Sequence, residues 1–408
     1  MYDNSLKKIA FVSPGYKPVP DVAGGAVEHL MTQIIEANEL NPKFIFELWT
    51  ISDKRLDSLN LQYTHIHQVK NFRKTFFLRA FSLLLNILYT KILKNNKRFN
   101  YLGLEVVKHL QSDIDFILVE NDVNVFKQIR NKLPQVKMVF HMHNDFDTFG
   151  EIQKDKKSMQ FIVDNADEIW TVSAYLKRHL LSVFQTDKIR ILDNCIDRER
   201  FIQKENSNNE AVNFRKKYGI SDKSFVVLYT GRILPQKGIL ELIRAATLLP
   251  KELDFKIVIV GDIDTAPISY KQDLINSATL IKGKVVFTGY IQQYEIQNAY
   301  AASDIVTIPS QCQEAFCLVA LEASCHCKAC IASKSGALVD VLSEDSAILL
   351  DLDNDFEKKL RDSIYLLATN PELRMNLAVK AYNYSKKFPD RIEYFNNFSL
   401  LVNEFCKK

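Results

Sequence analysis

The sequence predicts an α/β protein made of two consecutive domains, each an open parallel sheet covered by helices. Three observations carry this. A chain of 408 residues is too long for one typical hydrophobic core. Short apolar runs alternate with helical patterns along it, as in a series of βα units. The stretch 203–213, QKENSNNEAVN, is polar, rich in Asn and free of apolar periodicity, which marks a linker between two such series. The composition, 47% hydrophobic and 25% charged, is that of a soluble globular protein, and a net charge of +4 does not argue for nucleic acid.

Taken in order, KIAFVS at 8–13 is a first strand whose exit loop runs through Gly24 and Gly25 into a helix over 26–39. A glycine pair at a helix start permits close backbone approach to an anion or a sugar. Strands follow at 44–51, 115–119, 137–141, 168–173 and 188–194. The strand at 137–141 runs into HMHNDF, where His141 and His143 alternate and face one side. A ligand-binding His143 is favoured by its place at a strand's carboxyl end; the alternative is a structural histidine. In the second half, strands are expected at 225–229, 256–260, 284–288, 304–309, 330–332 and 347–350, and an amphipathic helix over 391–405. Of only 12 glycines, Gly24, Gly25, Gly231, Gly238, Gly261 and Gly289 lie at strand-to-loop positions.

Two stretches carry the chemistry of the second half. Arg232 and Lys237 flank a Gly-containing loop, an arrangement suited to a diphosphate, although the spacing is not that of a Walker A loop. DIVTIPSQCQEAFCLVALE, residues 304–322, reads as strand, polar loop and then a helix from Ala315. On one helix, Glu314 and Glu322 would stand roughly 12 Å apart, too far for a carboxylate dyad and suited to the two ends of an extended ligand.

Residues 71–98 are apolar but their longest uncharged run, 80–90, is too short to cross a bilayer. Basic residues at both ends suit an anionic membrane surface; a core helix with solvated lysines is the alternative. The N-terminus MYDNSLKKIAFVSP lacks a secretory signal, so the seven cysteines are expected to be reduced and the protein cytoplasmic. Cys312, Cys317, Cys325, Cys327 and Cys330 crowd beside His326, as small packing residues or as a CxCxxC metal site.

TGRILPQKG, IVIVGD, VVFTGYI, SDIVTIPS and the Glu314/Glu322 pair, with GGAVEHL, HNDF, VSAYLKRHL and DNCID in the first half, resemble the ordered signature of GT-B glycosyltransferases of family 4. The two glutamates match that family's EX7E motif. The resemblance implies two Rossmann-like domains with parallel sheets facing across an interdomain cleft. These are an acceptor domain at 1–205, a nucleotide-sugar domain at 206–385 and a C-terminal helix at 386–408 that crosses back to the first domain.

It also implies residue roles. Arg232 and Lys237 would grip the donor diphosphate and neutralise charge on the leaving group. Glu314 would contact the donor sugar, and Glu322 the ribose hydroxyls. The backbone of Phe316, Cys317 and Leu318 would cap phosphate or sugar, with Gly289 and Tyr290 near the base. Gly24 and Gly25 would approach the donor from the first domain, and His143 would bond a hydroxyl at the reaction centre. No metal or other cofactor is implied, because cationic side chains and N–H dipoles do that work. Cys317 and Cys327 stand where the family commonly has Gly, and Asp193-Asn194-Cys195 replaces Pro-Asn-Gly.

The expected function is retaining hexosyl transfer, with a UDP-sugar as default donor, to a polyprenyl-diphosphate-linked saccharide in capsular or exopolysaccharide synthesis. Such an enzyme would be cytoplasmic and peripheral on the inner face of the membrane, and would not bind nucleic acid. The alternatives are a nucleotide-sugar 2-epimerase and a non-catalytic GT-B accessory subunit. A nicotinamide dehydrogenase fits poorly, since no GxGxxG follows the first strand.

Overall fold

In a computed structural model of the chain, the described residues are 6–70, 101–146, 152–198, 207–292 and 295–407. They separate into two compact units, Met1–Cys195 with Arg391–Lys408, and Ile196–Asp390.

Unit 1 is built on seven strands: β1 (Lys7–Val12), β2 (Phe44–Ile51), β3 (Thr64–Val69), β4 (Phe116–Glu120), β5 (Met138–Met142), β6 (Glu168–Thr171) and β7 (Ile189–Ile191). They lie in the order β3-β2-β1-β4-β5-β6-β7 and every pairing is parallel. Residues Ile9 to Val12 and Phe116 to Val119 are wholly buried, so these strands read as continuous apolar runs rather than alternating ones. The strand β3 had no clear signal in the sequence. THIHQV has only Ile66 and Val69 as apolar residues and shows no alternation, because it is a partly exposed edge strand recruited by pairing with β2.

Unit 2 contains β8 (Phe225–Thr230), β9 (Phe255–Val260), β10 (Val285–Gly289), β11 (Ile305–Ile308), β12 (Ala329–Ser333) and β13 (Ala347–Leu350). The order is β10-β9-β8-β11-β12-β13, again all parallel. In both sheets the strand order reverses beside the first strand, between β1 and β4 and between β8 and β11. Open α/β sheets bind ligands at the carboxyl ends of strands flanking such a reversal.

Two expectations need correction. The polar stretch 203–213 is not a linker throughout, because Ser207–Lys217 is a helix. Its anchors are one buried side chain, Phe214, and Arg215, whose guanidinium bonds the carbonyl of Ala302 at 3.0 Å and Asp304 at 3.2 Å. An apolar stripe is therefore missing where a periodicity search would look for one. The helix expected from Ala315 begins at Leu318 and ends at Cys325, so Glu314 precedes it in a loop. A separation based on one continuous helix does not apply. The basic-apolar stretch 71–98 lies outside the described residues; among those described, no helix is long and apolar enough to cross a membrane.

The helix Arg391–Lys407 packs within unit 1. Phe398 meets Phe44 edge-on with ring centroids 5.7 Å apart and Trp170 at 5.8 Å, and Phe405 meets Phe116 at 5.1 Å. Phe398 is wholly buried. Phe398→Ala is expected to destabilise the protein by about 3–5 kcal/mol through lost burial and the cavity left behind, read from the midpoint of denaturant unfolding.

Candidate active site

Unit 2 presents a charged cluster at its strand reversal. After β8 the chain passes Gly231 and the exposed Arg232, then a single turn over Pro235–Lys237, and enters the helix Ile239–Thr247 through Gly238. After β11 it passes Pro309 and Ser310 to Glu314. These loops lie in contact. A Cβ on Gly238 would sit 1.8 Å from the carbonyl oxygen of Pro309, and the amide of Gln311 donates to the carbonyl of Gln236 at 2.8 Å. Gly238 also has φ +70, so both its conformation and its surroundings require glycine.

That contact places Lys237 Nζ 2.7 Å from Glu314 Oε1, in an ion pair that is largely withdrawn from solvent. Burial alone would lower the Lys237 pKa. The carboxylate of Glu314 outweighs it and holds the ammonium above its ordinary range, so Lys237 is charged at neutral pH. Glu314 is itself fixed. The Ser310 hydroxyl donates to Oε1, and the Glu314 carbonyl accepts from the amide of Ala337 at 2.7 Å. A Cβ on Gly336 would lie 2.3 Å from that same carbonyl oxygen.

Glu322, on the helix Leu318–Cys325, accepts from the Tyr300 hydroxyl at 2.7 Å. Burial and the neighbouring Glu322 push the Tyr300 pKa well up, which keeps that hydroxyl a donor. Glu314, Lys237 and Glu322 all act electrostatically on the Cys317 thiol, which burial keeps protonated. The amides of Phe316, Cys317 and Leu318 stand at or before the first helical turn, where helix N–H groups lack intrahelical partners. Gly289 ends β10 and is joined through its carbonyl to the amide of Gly261 at 3.1 Å, while Tyr290 beside it is exposed. Neither makes a hydrogen bond to the Lys237–Glu314 pair.

In unit 1, Gly24 and Gly25 both have positive φ, and Gly25 caps the helix Ala26–Leu40. The Glu28 carboxylate folds back onto Gly25, and burial raises its pKa. His143 lies just beyond β5. It shares the carboxylate of Glu120 with His141: His143 Nε2 is 2.6 Å and His141 Nδ1 3.0 Å from Glu120 Oε2. All three are buried. Burial would raise the Glu120 pKa, but the two imidazoles outweigh it and bring it to about 2. Burial, aided by His141, takes His143 down to about 4, so its ring is neutral near pH 7. Asp145, two residues on, accepts from Tyr175 and from His179 Nδ1, both at 2.9 Å.

Sequence reasoning overlooked Glu120, Tyr300, Ser310 and Glu28. None carried a signal of its own in the sequence; Glu120 closes the apolar run FILVE as any strand-end carboxylate would. The cysteines are packing residues: Cys325 bonds Ser385 at 3.6 Å, and Cys330 lies in the core strand β12, its thiol pushed up to about 12 by burial. Among the described residues, the group with donors close enough for one metal ion is Glu120, His141 and His143, not the cysteines.

Cys317 and Cys327, at the two positions where glycine is common in the resembled family, have φ of +82 and +51. A side chain there is strained by roughly 1–2 kcal/mol. Cys327→Gly, the less buried of the two, is expected to raise stability by up to about 1 kcal/mol, read as a higher unfolding midpoint. The buried neutral His143 gives a pH dependence. Its folded pKa of about 4 lies below the ordinary imidazole value of 6.5, so between those values the unfolded chain binds more protons. Stability must fall as pH drops from 6.5 towards 4. His143→Gln is expected to flatten that part of a plot of denaturation midpoint against pH, leaving the share due to buried His326, whose pKa is lowered to about 3.

Residues 211–384, less than half of the chain, match the family model described as Glycosyl transferases group 1. The lipopolysaccharide 1,2-N-acetylglucosaminetransferase of Salmonella typhimurium is 30% identical over 264 residues, 60% of this chain and 64% of that protein. An uncharacterized glycosyltransferase of Methanocaldococcus jannaschii is 33% identical over 180 residues, 44% of this chain and 45% of that one. The chain thus spans less than two thirds of the length of both relatives. Among solved structures, Anabaena HepE in complex with UDP and glucose superimposes with a TM-score of 0.74 at 17% identity, covering 98% of this chain and 99% of that one. The chain has the GT-B fold of two parallel-sheet Rossmann-like domains, and its residues 211–384 match the Glycosyl transferases group 1 family.

Proposed function

We propose that the protein is a retaining glycosyltransferase of the EX7E type, moving a hexose from a nucleotide sugar to a lipid-linked saccharide during surface-polysaccharide synthesis. The observation that carries this reading is the Lys237–Glu314 pair at the strand reversal of unit 2. A charged, partly buried ammonium on a loop that also carries Arg232 neutralises a departing diphosphate as the glycosidic bond to it breaks. Glu314, held by Ser310 and the Gly336 turn, offers a fixed acceptor to the sugar hydroxyls. Glu322, oriented by Tyr300, takes the ribose, while the amides at 316–318 face phosphate or sugar. From unit 1, His143 bonds a hydroxyl of the transferred sugar. Gly289 and Tyr290 would contact the base, and the backbone at Gly24 and Gly25 the donor.

Two findings support these substrate classes. A similar fold binds UDP and glucose, which supports a UDP-sugar donor. The Salmonella relative is named for transfer within lipopolysaccharide, which supports a glycolipid acceptor. The basic flanks of residues 71–98 support peripheral attachment to the cytoplasmic face of the membrane.

The test is a panel of UDP-, dTDP- and GDP-sugars incubated with a polyprenyl-diphosphate-linked sugar, product configuration being read by NMR. Transfer with retained anomeric configuration is expected from one donor. Lys237→Ala and Glu314→Ala are each expected to lower kcat by about 100- to 1,000-fold while the unfolding midpoint shows a folded protein. Binding of a donor without transfer to any lipid acceptor would overturn the acceptor assignment. Failure to bind any nucleotide sugar would overturn the transferase reading.

A further inference from the structure

Glu120 is buried and ionised, and among the described residues no lysine or arginine holds it. Its partners are two imidazoles. The register of β4 and β5 sets Glu120 opposite His141, and His143, two residues on, faces the same side of the sheet. Both rings reach one carboxylate, His143 Nε2 at 2.6 Å and His141 Nδ1 at 3.0 Å. The next residue completes the hold. Asn121, at φ +53, donates its amide to the His141 carbonyl at 2.8 Å, and its side-chain oxygen accepts from the amides of His143 at 3.0 Å and Asn144 at 3.1 Å. Glu120 and Asn121 together fix the ring and the backbone of His143.

A metal ion is the competing occupant, since the three donor atoms lie within 4.8 Å of one another. Two ligands bonded to one tetrahedral ion at about 2.0–2.2 Å stand roughly 3.3 Å apart. The 2.6 Å contact of His143 with Glu120 is closer than that and is the length of a charge-assisted hydrogen bond. The cluster shares protons.

A carboxylate has no proton to give, so the hydrogen of each bond belongs to the imidazole. A neutral His143 that donates from Nε2 has its lone pair on Nδ1. We infer that Glu120 is a positioning residue that locks His143 in the Nε2–H form, so that Nδ1 serves as an acceptor for a hydroxyl of the transferred sugar. The inference rests on the proposed transferase reading for its substrate, but the tautomer itself does not. An acceptor at Nδ1 suits a hydroxyl donor and is unsuited to phosphate oxygens, which assigns His143 to the sugar and leaves the diphosphate to Arg232 and Lys237.

The test uses the full chain labelled with ring-15N histidine; with 8 histidines, His143 is assigned by loss of its signal in His143→Asn. The expected result is an Nε2-protonated, Nδ1-unprotonated ring in the wild type. In Glu120→Gln, whose amide can donate to the ring, the form should change or become a mixture. Its kcat should fall at least about tenfold with donor KM changed less than twofold, and Glu120→Asp should restore part of kcat. An Nδ1-protonated ring in the wild type, or a Glu120→Gln protein that keeps both tautomer and kcat, would overturn the inference. So would one equivalent of zinc retained by the wild type and lost in Glu120→Gln. The wild-type spectrum decides even where Glu120→Gln does not fold. It also decides where no donor is turned over, an outcome that counts against the transferase reading alone.

Discussion

The close approach of the β8 and β11 exit loops, with Gly238 against the carbonyl of Pro309, is the constraint on which the candidate site depends. An all-parallel sheet delivers every strand's carboxyl end to one edge, and the reversal of strand order leaves the loops after β8 and β11 side by side without a crossover helix between them. Packing at that seam is so tight that no Cβ fits at Gly238. Lys237, one residue earlier, is thereby fixed beside Glu314, and the Gly336 turn closes on the glutamate from β12. Gly238 and Gly336 stand where side chains would otherwise hold the loops apart.

Unit 1 solves a different problem, the burial of carboxylates, with one device used twice. In β3, His65 and His67 share Glu47 from β2, at 2.9 and 2.5 Å; in β5 and its exit, His141 and His143 share Glu120 from β4. Each glutamate faces the first histidine in the parallel register. A buried carboxylate is costly unless hydrogen-bonded, and two imidazoles at i and i+2 supply donors from one face of the neighbouring strand. The two cases differ in exposure. Around Glu47 the imidazoles are partly open to solvent on an edge strand, whereas around Glu120 all three groups are buried beside a strand reversal. Only the second can hold a ring in one protonation form away from water.

The cysteines show how a sequence departure is absorbed. At 317 and 327 the backbone keeps the left-handed conformation that glycine would adopt freely, and the chain accepts strain at each position. The Cys317 thiol stays protonated by burial among Glu314 and Glu322, so the substitution adds no charge to the site. The path of the backbone is held by the surrounding contacts, the Gly336 turn and the packing of Phe316 on Phe388, rather than by local preference.

The sequence alone was enough for the class of fold, for twelve of the thirteen described strands, and for Arg232, Lys237, Glu314 and His143 as charged or polar groups at loop positions with Glu322 on the helix that follows. Those features are local: burial of both faces of a parallel strand writes itself into consecutive residues, and glycine marks the turns. Four things needed tertiary structure. They were the edge strand β3, which takes its order from pairing; the helix Ser207–Lys217, which is anchored by one ring and one guanidinium; the start of the helix at Leu318 rather than Ala315; and Glu120. The last is the clearest case. Nothing in FILVEND distinguishes a carboxylate that holds two imidazoles from an ordinary strand end, because the partners of Glu120 lie on another strand more than twenty residues away, and only the β4–β5 register brings them to the same carboxylate.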